Sequence, residues 1–191
     1  MIGIEKLTKQ LVDCNIIEDE DKELYSFGFK QMIILIYSFI TIIAIGFVFN
    51  MTWESIIFIL AYGVLRPYAG GYHAKTQLRC YLFSVFMMVA VLWLIKHILW
   101  NNFICFIIMT IASIIIFVLA PVEDGNKPLD DVEQTVYKKR TNIILSILIG
   151  LTVLFWVISL KQISICISVS LGTLSIMLML GKIKNLIKRK I

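Results

Sequence analysis

Six apolar stretches, most of them free of charge, and the basic segments between them constrain this chain more than any other feature. A helix needs about 20 apolar residues to cross the hydrocarbon of a bilayer, within a range of roughly 17–25. Residues 32–49, 103–119, 143–160 and 163–180 reach or approach that length without a charged side chain. Residues 81–95 are shorter and extend to Trp100 if Lys96 snorkels to the interface. Residues 51–65 are the weakest stretch, because they contain Glu54 and run into Arg66-Pro67. With 59% hydrophobic residues and a mean hydropathy of +0.88, a soluble domain of 191 residues could not cover its apolar surface. The expected fold is therefore all-α: a polytopic membrane protein of about six transmembrane helices.

The basic residues decide between five and six spans. Six spans with a cytoplasmic N-terminus place Lys6, Lys9, Lys22 and Lys30 on one side, together with Arg66, Lys75 and Arg79. Lys127, Lys138, Lys139, Arg140 and the five basic residues of 182–190 join them, leaving only Lys96 and Lys161 outside. Without the 51–65 span the split falls to twelve against six. The positive-inside rule favours the first arrangement, with both termini cytoplasmic. The net charge of +5 then reflects cytoplasmic loops, so no nucleic-acid partner is expected.

One integral domain is expected over 1–191, divided into a cytoplasmic amphipathic region (1–30), a six-span core (31–181) and a basic cytoplasmic tail (182–191). Ile4, Leu7, Leu11 and Cys14 recur at helical spacing, and the helix they predict lies on the membrane surface. Nothing in residues 1–30 reads as a cleaved signal peptide. Residues 121–141 are expected as a loop, with a turn at 123–128 and the basic cluster Lys138-Lys139-Arg140 behind it. The tail is expected to touch anionic lipid headgroups. Cysteines at 14, 80, 105 and 166 form no CxxC pair and no metal-ligand spacing, so neither a disulfide framework nor a metal or other cofactor is indicated. Cys14, Cys105 and Cys166 read as structural, and His97 as an interfacial anchor.

The chemistry concentrates in Arg66-Pro67-Tyr68-Ala69-Gly70-Gly71-Tyr72-His73-Ala74 and in Cys80. Two adjacent glycines weaken a helix by roughly 1 kcal/mol each, and Pro67 biases Arg66 towards an extended backbone. The second span is expected to break here, around a cavity open to the cytoplasm, because broken backbone at membrane depth must be buried in protein or line water. On one straight helix His73 and Cys80 would lie about 10.5 Å apart along the axis, beyond the reach of about 2.6–3.2 Å that a nucleophile–base pair requires. A dyad therefore needs a bend between them or a second copy of the chain. Arg79 and a helix N-terminus beside Cys80 would favour its thiolate; an inert buried thiol is the alternative.

These residues, with the loop Pro-Val-Glu-Asp-Gly-Asn-Lys-Pro at 121–128 and the basic tail, resemble the accessory gene regulator protein B (AgrB) family over essentially the whole chain. The resemblance implies a membrane cysteine endopeptidase of Gram-positive quorum sensing, without a cofactor. It implies removal of the C-terminal segment of an AgrD-like signal propeptide, with Cys80 as nucleophile and His73 as general base. The acyl-enzyme thioester would then be released by cyclisation to a thiolactone or lactone. Arg66, Gly70 and Gly71 match motif positions and would shape the site. Lys75, Arg79, Lys138, Lys139 and Arg140 are expected to receive an acidic substrate segment. Gln77, Ser84, Glu123 and Asn126 are candidates for a residue orienting the histidine. Expected partners are the propeptide, membrane lipid and a second copy in a homodimer. The competing readings are a non-enzymatic transporter or permease component, and a membrane scaffold.

Overall fold

The computed structural model describes residues 2–14, 16–72, 76–123 and 129–190. They form seven helices: α1 (Ile2–Asp13), α2 (Lys22–Val48), α3 (Thr52–Ala69), α4 (Gln77–His97), α5 (Asn102–Leu119), α6 (Asp131–Val157) and α7 (Lys161–Lys190). Among the described residues, α2, α4, α5, α6 and α7 are long and apolar enough to cross a membrane. The chain is an all-α polytopic membrane protein. α3, the stretch that sequence left weakest, is an unbroken helix of 18 residues, about 27 Å long. Its charges stand at opposite ends: Glu54 accepts from Gln162 Nε2 at 3.3 Å, and Arg66 lies in the last turn.

Local chemistry explains where the helices start and stop. Asp130 caps α6 by accepting from the Glu133 amide at 2.6 Å, and Asn101 caps α5 by accepting from the Ile104 amide at 2.9 Å. α2 ends with Asn50 at φ 55°, the Met51 amide reaching the Gly46 carbonyl at 2.8 Å. α6 ends in the same way around Ser159 at φ 66°, with the Leu160 amide on the Phe155 carbonyl at 2.9 Å. Both are Schellman closures built without glycine. The short links that result fold α2 back on α3 and α6 back on α7.

Several expected boundaries move. The basic cluster Lys138–Arg140 is helical, because the Asp130/Glu133 pair starts α6 well before the apolar run. The 182–190 tail continues α7, since its Lys, Leu and Ile residues are good helix formers and cations suit a helix C-terminus. The polar N-terminal region is divided between α1 and the first turns of α2. Within α1, Thr8 is buried and bonds back to the Ile4 and Glu5 carbonyls, whereas Leu7, and Cys14 just beyond the helix, are exposed. The docked face is thus rotated from the expected stripe, because α1 packs on α2.

α7 is the central helix: 67% of its apolar stretch is buried, against 6% for α2. It packs on α3, α5 and α6. Its small residues permit this. Ser164, Ser168, Ser170 and Ser175 are all buried, and a β-carbon at Gly172 would stand 3.2 Å from Ile108 Cγ2. In a bilayer, small side chains at helix contacts replace the hydrophobic drive that lipid cannot provide. Ser164 donates to the Thr152 carbonyl across to α6 at 2.9 Å, and Ser168 Oγ lies 3.2 Å from Cys105 Sγ. Cys105 and Cys166 are fully buried, as a structural role requires. Leu65, Ala69, Ile116, Leu145, Leu174 and Leu178 form the core at one end, and Phe58, Met88, Leu92 and Ile165 that at the other.

Close packing of α2 on α3 yields a test. A β-carbon at Gly46 would stand 2.9 Å from Ser55 Cβ and 3.2 Å from the Met51 carbonyl oxygen, whereas one at Gly150 meets nothing within 4 Å. Gly46→Val should destabilise the protein in detergent by about 1–3 kcal/mol. Gly150→Ala should leave its thermal unfolding midpoint unchanged or raise it slightly.

Candidate functional site

The ends of α3, α5 and α7 and the starts of α4 and α6 meet at one end of the bundle, and the motif lies there. α3 stays helical through Arg66, Pro67 and Ala69, contrary to the extended Arg66 expected from the proline. Packing overrides that local bias: Leu65 and Ala69, one turn apart, are fully buried in the core, and the Gly70 amide still bonds the Arg66 carbonyl at 3.0 Å. The break falls at the glycines instead. Gly70 has φ 74° and ψ −146°, and Gly71 has φ 118°. Both are conformations that side chains disfavour strongly.

The broken segment is held by backbone partners on two sides. On one, the Val122 amide donates to the Ala69 carbonyl at 2.9 Å and the Gly71 amide to the Val122 carbonyl at 3.2 Å, a single parallel bridge. On the other, the Tyr72 amide donates to the Met177 carbonyl of α7 at 2.9 Å. The Arg66 guanidinium turns back from α3 and donates to the Gly70 and Tyr72 carbonyls. Added β-carbons would run into the Val122 carbonyl at Gly70, and into the Arg66 guanidinium and Met177 carbonyl at Gly71. Arg66, Gly70 and Gly71 therefore act together on backbone geometry, and these contacts direct Arg66 at its own segment.

Cys80 lies in the first turn of α4, half-buried, with its amide bonded to the Thr76 carbonyl at 3.1 Å. Thr76 is extended and its side chain caps the Arg79 amide at 3.4 Å, so α4 is a new helix and not a continuation of α3. The interruption that a His73–Cys80 pair demands is thus present. His73, Ala74 and Lys75 themselves lie outside the described residues. Tyr81, next to Cys80, meets Thr41 of α2 with hydroxyls 2.8 Å apart. Tyr72 packs against Phe83 of α4, ring centroids 5.8 Å apart, and under Lys184 Nζ at 5.3 Å.

Of the four orienting candidates, Ser84 donates its hydroxyl to the Cys80 carbonyl at 3.0 Å, and Gln77 is exposed at the start of α4. Glu123 offers its backbone carbonyl to Asn185 Nδ2 at 2.7 Å, and Asn126 lies outside the described residues. The basic residues diverge. Arg79 is exposed on α4. Arg140 sits 5.3 Å from the Tyr68 ring centroid and donates to its hydroxyl at 3.4 Å, tying α6 to α3. Lys139 faces a groove on α6 with Asn142 and Ser146, and Lys138 lines the same groove. Lys138 lines a cavity of about 470 Å³ between the ends of α5, α6 and α7, with Gln134, Glu123, Lys182 and Asn185. That cavity lies behind the 120–123 connector, and the described residues lining it include neither Cys80 nor the glycines. The connector and α7 lie directly against the glycines, and the cavity expected at the break would also involve residues 73–75, which lie outside the described residues.

A family model described as accessory gene regulator B matches residues 4–180. The chain belongs to the accessory gene regulator B family. Membership connects it with accessory gene regulator quorum sensing. Among its relatives, putative AgrB-like protein 1 of Clostridium perfringens is 31% identical, the match covering 82% of each chain. Putative AgrB-like protein 2 of the same species is 30% identical over 66% of this chain and 63% of that relative. Accessory gene regulator protein B of Staphylococcus saprophyticus is 24% identical over 67% of this chain and 68% of its own. The chain thus spans less than two thirds of some of the curated relatives it matches. No solved structure matches it.

Val122, Met177 and Gly181 take part in the site without having been singled out from the sequence. Gly181 alone left a trace, as a lone glycine inside a helical pattern. The clamp gives a direct test. Gly70→Ala, and Arg66→Lys, whose single ammonium cannot reproduce a two-pronged fork, should each speed hydrogen–deuterium exchange of the Gly71 and Tyr72 amides. Exchange in the core of α7 should not change.

Proposed function

We propose that this protein is a membrane cysteine endopeptidase that cleaves an AgrD-like signal propeptide and releases its N-terminal part as a cyclic peptide. The reading is carried by a half-buried thiol in the first turn of α4, a short chain away from a glycine segment held rigidly on both sides. Family membership supplies the substrate class. His73 directly follows Tyr72 in the chain, and the Tyr72 amide is held by the Met177 carbonyl.

In the proposed reaction His73 takes the Cys80 proton, and the thiolate attacks the scissile carbonyl of the propeptide. The tetrahedral intermediate collapses with cleavage of the C–N bond, and the imidazolium returns its proton to the departing amine. The N-terminal part of the substrate then hangs on Cys80 as a thioester. A cysteine or serine within it gives its proton to His73 and attacks the thioester carbonyl, expelling the Cys80 thiolate and closing a thiolactone or lactone, and the imidazolium then reprotonates Cys80. The first amides of α4 lack helical partners and carry the positive end of its dipole, which suits both a thiolate and an oxyanion. Exclusion of water from the thioester favours cyclisation over hydrolysis.

Lys138, with Arg79, Lys139 and Arg140, belongs in this reading to the reception of an acidic substrate segment. Arg66, Gly70 and Gly71 shape the site. The end of the bundle that carries the motif faces the cytoplasm, with both termini on that side, and a homodimer completes the assembly in the membrane.

The deciding experiment incubates the purified protein with propeptide in liposomes and follows Cys80 by mass spectrometry. Wild type should form an acyl adduct at Cys80. Cys80→Ala and His73→Ala should lose cleavage by at least about two orders of magnitude while inserting normally. Equal turnover by Cys80→Ser would favour a transporter, for which that change is nearly silent. Lys138→Gln should raise KM for an acidic-tailed substrate at low salt, with little effect at high salt. An unchanged KM at low salt would remove Lys138 from substrate binding.

A further inference from the structure

The clamp on the glycine segment has two halves, and the half on α7 stands more than 100 residues away from the motif in sequence. Met177 presents its carbonyl to the Tyr72 amide at 2.9 Å. One turn later Gly181 is buried directly beneath the Gly71–Tyr72 peptide. A β-carbon at Gly181 would stand 2.7 Å from the Gly71 carbonyl carbon, 2.8 Å from the Tyr72 nitrogen and 3.0 Å from the Gly71 Cα. These are backbone atoms, so no side-chain rotation can relieve the overlap. A turn further on, Asn185 Nδ2 bonds the Glu123 carbonyl at 2.7 Å and so holds the connector that forms the other half of the clamp. Lys184, from the same stretch, covers the Tyr72 ring. Three successive helical positions of one face, 177, 181 and 185, thus carry both walls.

We propose that residues 177–185 of α7 are the positioning platform of the catalytic segment, with Gly181 its point of closest contact. This rests on the reading of His73 and Cys80 as base and nucleophile. Cys80 is fixed through α4, and His73 follows Tyr72 directly in the chain. In this proposal the approach of the base to the thiol depends on how closely Gly71 and Tyr72 lie against α7. Replacing Gly181 forces that peptide off the helix and so disturbs the start of the segment that bears the base. Gly150 on α6 is the control, since a β-carbon there meets nothing within 4 Å.

Two readouts test the platform: steady-state propeptide cleavage, and the pH dependence of Cys80 alkylation by iodoacetamide without substrate, in a background where the other three cysteines are serine. Gly181→Ala should lower kcat by about 10- to 100-fold with little change in KM, as a misplaced catalytic group does. Its alkylation profile should move to that of His73→Ala. Gly150→Ala should match wild type in both. Asn185→Ala, which leaves helix packing intact, should shift both readouts in the same direction by a smaller amount. Folded Gly181→Ala with wild-type kcat and profile overturns the proposal. If Gly181→Ala elutes as an aggregate, wild-type behaviour of Asn185→Ala overturns it instead. Should His73→Ala itself cleave normally and keep the wild-type profile, the dyad reading fails and not merely its support.

Discussion

A chain that breaks a helix inside a membrane protein must find new partners for the amides and carbonyls it releases. The site end of this molecule is organised around that requirement. Gly70, Gly71 and Tyr72 leave α3 in conformations that end helical bonding, and their polar groups are taken up by Val122, Met177 and Arg66. In hydrocarbon each unsatisfied group would cost several kcal/mol. The break is therefore stable only where a connector and a second helix can both reach it. Arg66 answers the same need, its charge stabilised by carbonyl dipoles at the end of its own helix.

That demand propagates into α7. To bring a carbonyl to Tyr72 and leave room for Gly71, α7 must run close beside the end of α3, and it does so with Gly181 at the contact. Deeper in the bundle, Ser164, Ser168 and Gly172 allow similar approach to α5 and α6. On α7 the hydroxyls of Ser164, Ser170 and Ser175 bond backbone carbonyls. One helix rich in small residues thus serves both as the core of the bundle and as a wall of the site. The thiol stands apart, on α4, in the first turn of a fresh helix, and the neighbouring Tyr81 hydroxyl meets Thr41 of α2.

Much of the fold was legible because hydrocarbon thickness and the 3.6-residue period act on local sequence. The strongest apolar runs became helices, and even the weakest, with Glu54 and Arg66, proved helical. Local rules misled where packing opposed them: Pro67 argued for an extended Arg66, yet burial of Leu65 and Ala69 keeps α3 helical to Ala69. The Asp130 and Glu133 signal for the start of α6 was present, but a search for apolar length passes over it. Ser159 in a left-handed conformation follows no strong residue preference, so the end of α6 was placed late. Of the basic residues 138–140, equal in sequence, Arg140 turns to Tyr68 of α3 while Lys138 and Lys139 share a groove on α6, because successive side chains on a helix point about 100° apart.

The sequence by itself determined that this is a helical membrane protein, that the helix before the histidine breaks at Gly70-Gly71, and that a thiol follows within reach of a new helix start. Those are local facts, set by hydropathy, by glycine and proline backbones and by spacing. Only the tertiary structure decided what receives the broken backbone, because Val122, Met177 and Gly181 meet it across 50 to 110 residues of chain. Contacts of that separation depend on how helices pack, and a carbonyl carries no signature in its side chain.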